Sequence, residues 1–256
     1  MKHLIKRSAS QLGLHLYSAE SLPTGVNWLH DIRRSGLVGP RPICFDVGAN
    51  IGQTVLELRG AIPGAVIHAF EPFASPFAEL RELATGMVDV VPVQVAMGAS
   101  TGSLEMQAQE RSVLNSLVQR EGAVSGRPAE TIRIDTVDHY CADRGVDAID
   151  LLKTDTEGYD LDVLRGAESM LRAQSITFVY AEVTFARGNV QNTPFQPVFD
   201  WLAVQHHYCF LGLYETYPLH HFEEPNLFCN ALFVSRAARE RVTRGQGLVG
   251  AGQPAP

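Results

Sequence analysis

Two hydrophobic rhythms run through the chain. Short, nearly unbroken apolar runs predict buried strands at Ile43 to Val47, Ala65 to Phe70, Val90 to Ala96, Ile149 to Thr154, Ile176 to Val183, Tyr208 to Tyr214 and Leu227 to Ser235. Between them, apolar residues recur at helical spacing. Ile51, Val55, Leu58 and Ile62 share one face before Pro63-Gly64 stops the helix, and Leu161, Leu164 and Leu171 share another behind Asp160, a candidate N-cap. Thr193-Pro194 opens a third helix with Val198, Phe199 and Leu202 inward. Strands alternating with helices predict βαβ units around a mostly parallel sheet, an α/β fold.

The less regular stretch Gly98 to Val146 is expected to add extra strands and a short helix. Residues 1–40 are expected to form a helical segment packed on or capping the domain, residues 41–236 the domain itself, and residues 237–256, ending in GQGLVGAGQPAP, an unstructured tail.

Composition narrows the class. With 256 residues, 45% of them hydrophobic and 19% charged, the chain has an ordinary globular balance. Its net charge of -7 gives no basic footprint for nucleic acid, so a small-molecule partner fits better. Cys44, Cys141, Cys209 and Cys229 form no C-x-x-C pair and read as reduced thiols of a cytoplasmic protein. No window reaches the ~20 apolar residues of a membrane span, and the N-terminus lacks the continuous apolar core of a signal peptide. A homo-oligomer is compatible with this composition.

The chemistry concentrates in FDVGANIGQTVLEL, Phe45 to Leu58. Gly48 and Gly52 allow close approach of a ligand, and the following helix points free N–H groups at it. The order Asp46-x-Gly48-x-Asn50-x-Gly52 departs from the dinucleotide pattern G-x-G-x-x-G, because an acid stands first and only two glycines follow. An acid repels a pyrophosphate and attracts an ammonium group. Glu71 closes the second strand in HAFEP, at the offset where an acid receives ribose hydroxyls. A nucleoside joined to a cationic group and a carboxylate satisfies all three features, and S-adenosylmethionine is such a molecule.

FDVGANIGQTVLEL, AFEP, IDLLKTDTEGYDLDVLRGAESML and VYAEV resemble, in order and spacing, the motifs of the FkbM-type S-adenosylmethionine-dependent methyltransferases. The resemblance covers Asn27 to Arg236, and its most specific part is the K-x-D-x-E-G block at Lys153 to Gly158. It implies a class I methyltransferase (Rossmann-like) fold: a seven-stranded, mostly parallel sheet with the last strand antiparallel and helices on both faces. The implied activity is O-methylation of a hydroxylated small-molecule acceptor, a sugar or natural-product intermediate. Carried onto this chain, Asp46, Gly48, Asn50 and Gly52 would hold the methionine half and Glu71, with Pro72, the ribose. Ala96 and Met97 would lie near the adenine, and Asp155 would face both the methionine end and the acceptor. Asn115 and Ser116 match an Asn-Ser-Leu segment near the pocket.

Methyl transfer to a hydroxyl needs a base or a metal as well as positioning. Lys153, Asp155 and Glu157 would share one face if their strand continued through Gly158. They are candidate catalytic residues, against an ion pair closing the strand. Glu182 ends the run ITFVYAEV and needs a partner, and His221, beside His220, is a further candidate base. Tyr214 and Tyr217 could line the acceptor pocket. If a divalent cation such as Mg²⁺ takes part, Asp155, Glu157 and Glu182 are its candidate ligands; His206 and His207 read as structural. The competing readings are an NAD(P)-dependent oxidoreductase and a non-catalytic binding module of the same fold.

Overall fold

The structure is a computed structural model that describes residues 11–12, 17, 22–107, 129–189, 191–216 and 228–247. Its main sheet contains β1 (Ile43–Val47) as an inner strand, whose residues after Ile43 are all buried. Parallel strands β2 (Val66–Phe70) and β7 (Ile149–Thr154) flank it on its two sides. With β3 (Val90–Val93), β8 (Ile176–Val183), β9 (Cys209–Tyr214) and β10 (Cys229–Val234), the sheet runs β3-β2-β1-β7-β8-β10-β9. β10 is antiparallel to both neighbours, so β9 keeps the direction of the other strands. This is the seven-stranded class I methyltransferase arrangement.

Strand alternation sends side chains to two cores. Phe45, Leu152, Val179 and Ala231 pack on one face, and Cys44, Leu151, Phe178 and Leu232 on the other. The helix Gln53–Ala61 buries Val55 and Leu58 against the second face. The helix Trp28–Arg34 covers the same face. Asn27 caps it by accepting the His30 N–H, and the Trp28 ring stacks on Tyr180 with centroids 4.3 Å apart.

The third predicted strand is divided. β3 stops at Val93, the Val95 N–H turns back to the Val93 carbonyl, and β4 (Ala96–Met97) joins β5 (Gly102–Gln107) and β6 (Ala129–Asp135) in a separate three-stranded sheet. β5, β6 and the helix Val137–Arg144 are the extra elements expected after Gly98. Asp160 is the first residue of the helix Asp160–Arg165 rather than its cap.

The expected tail is corrected over residues 237–247. Arg236–Gly247 is a helix, started by Ser235 Oγ accepting the Ala238 N–H and supported by Glu240 ion pairs to Arg236 and Arg244. Among the described residues, no helix is long and apolar enough to cross a membrane.

Candidate functional site

β1 is where strand order reverses: the chain steps outward through β2 and β3, then returns to β1's other side as β7. Ligands of open α/β sheets bind at such a point, outside the carboxyl ends of the strands. A cavity of about 440 Å³ lies there, within the roughly 300–1,000 Å³ usual for small-molecule sites.

Its floor is the turn after β1. Gly48 and Ala49 donate their N–H groups to the Phe70 carbonyl, at 3.0 and 2.9 Å, which ties the turn to β2. Asp155 N–H donates to the Val47 carbonyl at 3.0 Å, which ties it to β7. Gly48, held between them at φ 83°, has no room for a side chain: a Cβ there would stand 1.9 Å from the Asp155 carbonyl oxygen. Asn50 is left-handed at φ 49°, and Gly52 at φ 98° is the N-cap of the helix Gln53–Ala61.

Glu71 binds this turn from the side. One carboxylate oxygen accepts the Asn50 N–H at 3.0 Å and the other the Phe73 N–H at 2.9 Å. Burial raises the Glu71 pKa to about 7 against the opposing pull of those two donors. Glu71 and Pro72 line the cavity, with Phe70, Phe73, Ala96 and Met97 forming an apolar wall.

Lys153 marks the opposite side. Its Nζ lies 3.2 Å from Asp155 Oδ2 in a hydrogen bond and 3.3 Å from Asp46 Oδ1 in an ion pair. Burial alone would lower the ammonium pKa, but Asp155 and Asp46 outweigh it and raise it. Asp46 is 0% exposed, lies beneath the cavity rather than on its lining, and has its carboxyl pushed upward by burial against the pull of Lys153. Asp46, expected at the methionine half of the cofactor, thus meets Lys153 here. The Asp155 side chain, 39% exposed, does line the cavity.

Glu157 reaches the cavity by another route than a shared strand face. β7 ends at Thr154, and Glu157 (φ 53°) and Gly158 (φ 97°) turn the chain. Glu182 enters from β8, buried, with its Oε2 accepting Asn192 Nδ2 at 2.5 Å. Asn189 Nδ2 in turn donates to Asn192 Oδ1 at 2.6 Å. Burial, then the charges of Asp155, Asp160 and Glu157, push the Glu182 pKa up to about 10. Asp160, buried nearby, is raised to about 6 by burial and Asp155 while accepting the Thr193 hydroxyl.

Gln191 and Asn192 line the cavity and were not foreseen. Their signal was the polar run after β8, which reads as an ordinary connection. Tyr214 is not on this cavity: it is buried, its hydroxyl donating to Asp31 Oδ2 at 2.9 Å. His206 is buried against Trp201, in keeping with a structural part. His220, His221, Tyr217, Asn115 and Ser116 lie outside the described residues. Asp155, Glu157 and Glu182 do not converge on a point, and no group of three or more His, Cys, Asp or Glu suited to a metal occurs among the described residues.

The site thus offers an apolar wall, an acid tied to two backbone donors, a helix start and a set of carboxylates around one ammonium. Those features suit a cationic nucleoside carrying an amino acid end. Glu71 retains a second lone pair on each oxygen for hydroxyl donors. Gly48 leaves its part of the floor bare of side chain.

Known proteins agree with this chemistry. The methyltransferase FkbM domain model matches residues 46–210. The 31-O-demethyl-FK506 methyltransferase FkbM of Streptomyces tacrolimicus is 32% identical over 157 residues, 50% of this chain and 60% of that protein. The 2-O-methyltransferase NoeI of Sinorhizobium fredii is 25% identical over 193 residues, 70% of this chain and 79% of that protein. The chain therefore spans 60% of the length of the first relative. Aeropyrum pernix fibrillarin, solved with natively bound S-adenosyl-L-methionine, aligns at 12% identity and a TM-score of 0.46 over 77% of this chain and 68% of that one, a likeness too slight to add to the assignment. Because the domain match covers well over half of its length, the chain belongs to the FkbM methyltransferase family.

Proposed function

We propose that this protein is an S-adenosylmethionine-dependent methyltransferase that methylates a hydroxyl oxygen of a sugar or natural-product intermediate. The observation that carries the reading is one cavity, at the reversal of strand order, shared by the Gly48 turn, Glu71 and the Lys153–Asp155 pair. Both relatives named above are methyltransferases with a numbered oxygen in their names, which supports a hydroxyl acceptor.

When bound, S-adenosylmethionine supplies an electrophilic methyl carbon. Glu71 would accept the ribose hydroxyls, Ala96 and Met97 would wall the adenine, and the N–H groups opening the helix Gln53–Ala61 would face the carboxylate. Asp155 would take the ammonium group or the proton of the acceptor hydroxyl. Lys153, held by Asp46, would fix the Asp155 carboxylate. Glu182, kept protonated, would donate to the acceptor rather than act as a base.

Calorimetric titration with S-adenosylhomocysteine and with NAD, each with Mg²⁺ and with chelator, tests the cofactor. Saturable binding of S-adenosylhomocysteine alone supports the reading and justifies an acceptor screen of hydroxylated sugars and polyketides. Binding of NAD alone overturns it.

A further inference from the structure

The cavity has two unlike halves. Toward β2 and β4 its wall is apolar, from Phe70, Phe73, Ala96 and Met97. Toward β7 and β8 it is lined by Asp155, Glu157, Glu182, Gln191 and Asn192, together with Phe228. An apolar acceptor would strip water from these polar groups and give them no partner, which is costly. An anionic acceptor would face Asp155 and Glu157, and the Lys153 ammonium is already taken by Asp46 and Asp155. Amide and carboxyl groups side by side suit hydroxyls, which both donate and accept.

Glu182 is held in this half by a relay that starts at the main chain. Asn189 Oδ1 accepts the N–H groups of Gln191 and Asn192, at 2.8 and 3.1 Å. Main-chain donors can meet only an oxygen, so the Asn189 amide cannot be turned round, and its Nδ2 donates onward to Asn192 Oδ1 at 2.6 Å. That fixes Asn192 in turn and aims its Nδ2 at Glu182 Oε2. Asn189, Asn192 and Glu182 are 7%, 5% and 4% exposed, so water scarcely competes for these bonds. Oε2 is thereby committed to accepting, and the acidic proton of Glu182 is left to Oε1. Burial and the charges of Asp155, Asp160 and Glu157 favour that neutral form.

Thr154 pairs with Ala181 across β7 and β8, so Asp155 and Glu182, the next residues along, stand side by side at strand spacing, about 4.8 Å between backbones. Two groups so placed can each reach one of two neighbouring oxygens on a single ring. We propose that Glu182, held by Asn192 and Asn189, forms a subsite for a second hydroxyl of the acceptor, adjacent to the one that is methylated, so that the substrate is a vicinal diol on an uncharged sugar ring. Glu182 donates to that second hydroxyl, and Asn192 and Asn189 are positioning residues that act through Glu182. The subsite rests on the methyl-transfer reading above and narrows it to one class of acceptor.

Neutral methyl pyranosides carrying a vicinal diol, their monodeoxy analogues and the matching uronates, each offered with S-adenosylmethionine, test this through release of S-adenosylhomocysteine. The neutral diol should react best. The monodeoxy analogue should fall about tenfold in kcat/KM, the worth of one hydrogen bond, and the uronate by at least as much, since like charges meet. Glu182→Gln should keep that preference, because its carbonyl takes Asn192 Nδ2 and its own amide donates in place of Oε1. Asn192→Leu should bring the diol-to-deoxy ratio to about one, whereas a merely structural loss would lower both rates together. If that variant fails to fold, the parent protein and Glu182→Gln still decide. A uronate preferred to the neutral glycoside, a ratio unmoved by Asn192→Leu, or turnover abolished by Glu182→Gln would each overturn the proposal. So would glycosides that stay inert with a protein that binds S-adenosylhomocysteine, a result that leaves methyl transfer standing; failure to bind S-adenosylhomocysteine sinks both.

Discussion

The bare Cα of Gly48 and the carbonyl oxygen of Asp155 are packed so closely that a Cβ on Gly48 would stand 1.9 Å from that oxygen. The obstruction is backbone on both sides, because Asp155 N–H is itself bonded to Val47. The same contact joins the cofactor turn to the strand that carries Lys153 and Asp155.

Gly48→Ala therefore adds a left-handed alanine, at φ 83°, to a clash with the main chain. The positive φ alone costs roughly 1–2 kcal/mol. The total expected is about 3 kcal/mol or more, since the carbonyl cannot rotate away as a side chain could. Urea denaturation reads the loss, and calorimetry should show S-adenosylhomocysteine affinity falling at least about tenfold. Full stability and full affinity together would mean that the turn relaxes freely.

Glu71 should make cofactor affinity depend on pH. Its pKa is raised to about 7 because it is buried, and the ionised form is the stronger acceptor for ribose hydroxyls. Affinity for S-adenosylhomocysteine is expected to rise as pH passes upward through about 7 and then level off. Glu71→Gln should lose about 10- to 100-fold at alkaline pH, the worth of charged hydrogen bonds, and flatten the profile. An unchanged profile in the variant would remove Glu71 from the ribose.

Lys153→Met leaves the fully buried Asp46 carboxylate facing an apolar chain. Breaking one side of a buried pair costs about 3–5 kcal/mol. The double variant Asp46→Asn with Lys153→Met should recover much of that loss, and a double-mutant cycle from denaturation curves measures the coupling. Additive losses would show that Asp46 and Lys153 do not support each other.

Much of the frame was readable because burial is periodic. β1 and β8 stand out as apolar runs, and the glycine turn with Glu71 was legible because few ligands need that combination. Parity along β1 was the harder matter. Asp46 points with Cys44 toward the face covered by the helices Trp28–Arg34 and Gln53–Ala61, and its partner Lys153 comes from a strand 107 residues later, so no local spacing displays the pair. The run VVPVQVAM reads as one strand because hydrophobicity cannot say that Val95 turns the chain into a second sheet. Helix Arg236–Gly247 carries its signals, a serine cap and Arg–Glu pairs, but the glycines after Arg244 are poor helix formers and mask them.

Glu182 gives the sharpest test of the acid cluster. Its ordinary pKa of 4.5, which the unfolded chain retains, rises to about 10 in the fold through burial and the neighbouring Asp155, Asp160 and Glu157. The folded protein thus holds a proton that the unfolded chain releases across that interval. Linkage then makes its stabilising contribution complete below about pH 4.5 and progressively lost as pH rises toward about 10. Gln at this position cannot ionise, and its carbonyl can still accept Asn192 Nδ2. Glu182→Gln should therefore match the parent near pH 4.5 and exceed it at alkaline pH. A gain of about 1 kcal/mol there corresponds to roughly 2–4 °C in Tm for a chain of this size. Glu71 titrates in the same direction but only up to about 7, so the comparison is cleanest above neutrality. If thermal melts show the two proteins losing stability in parallel as pH rises, Glu182 is ionised in the fold, and its proposed role as a donor to the acceptor hydroxyl falls with it.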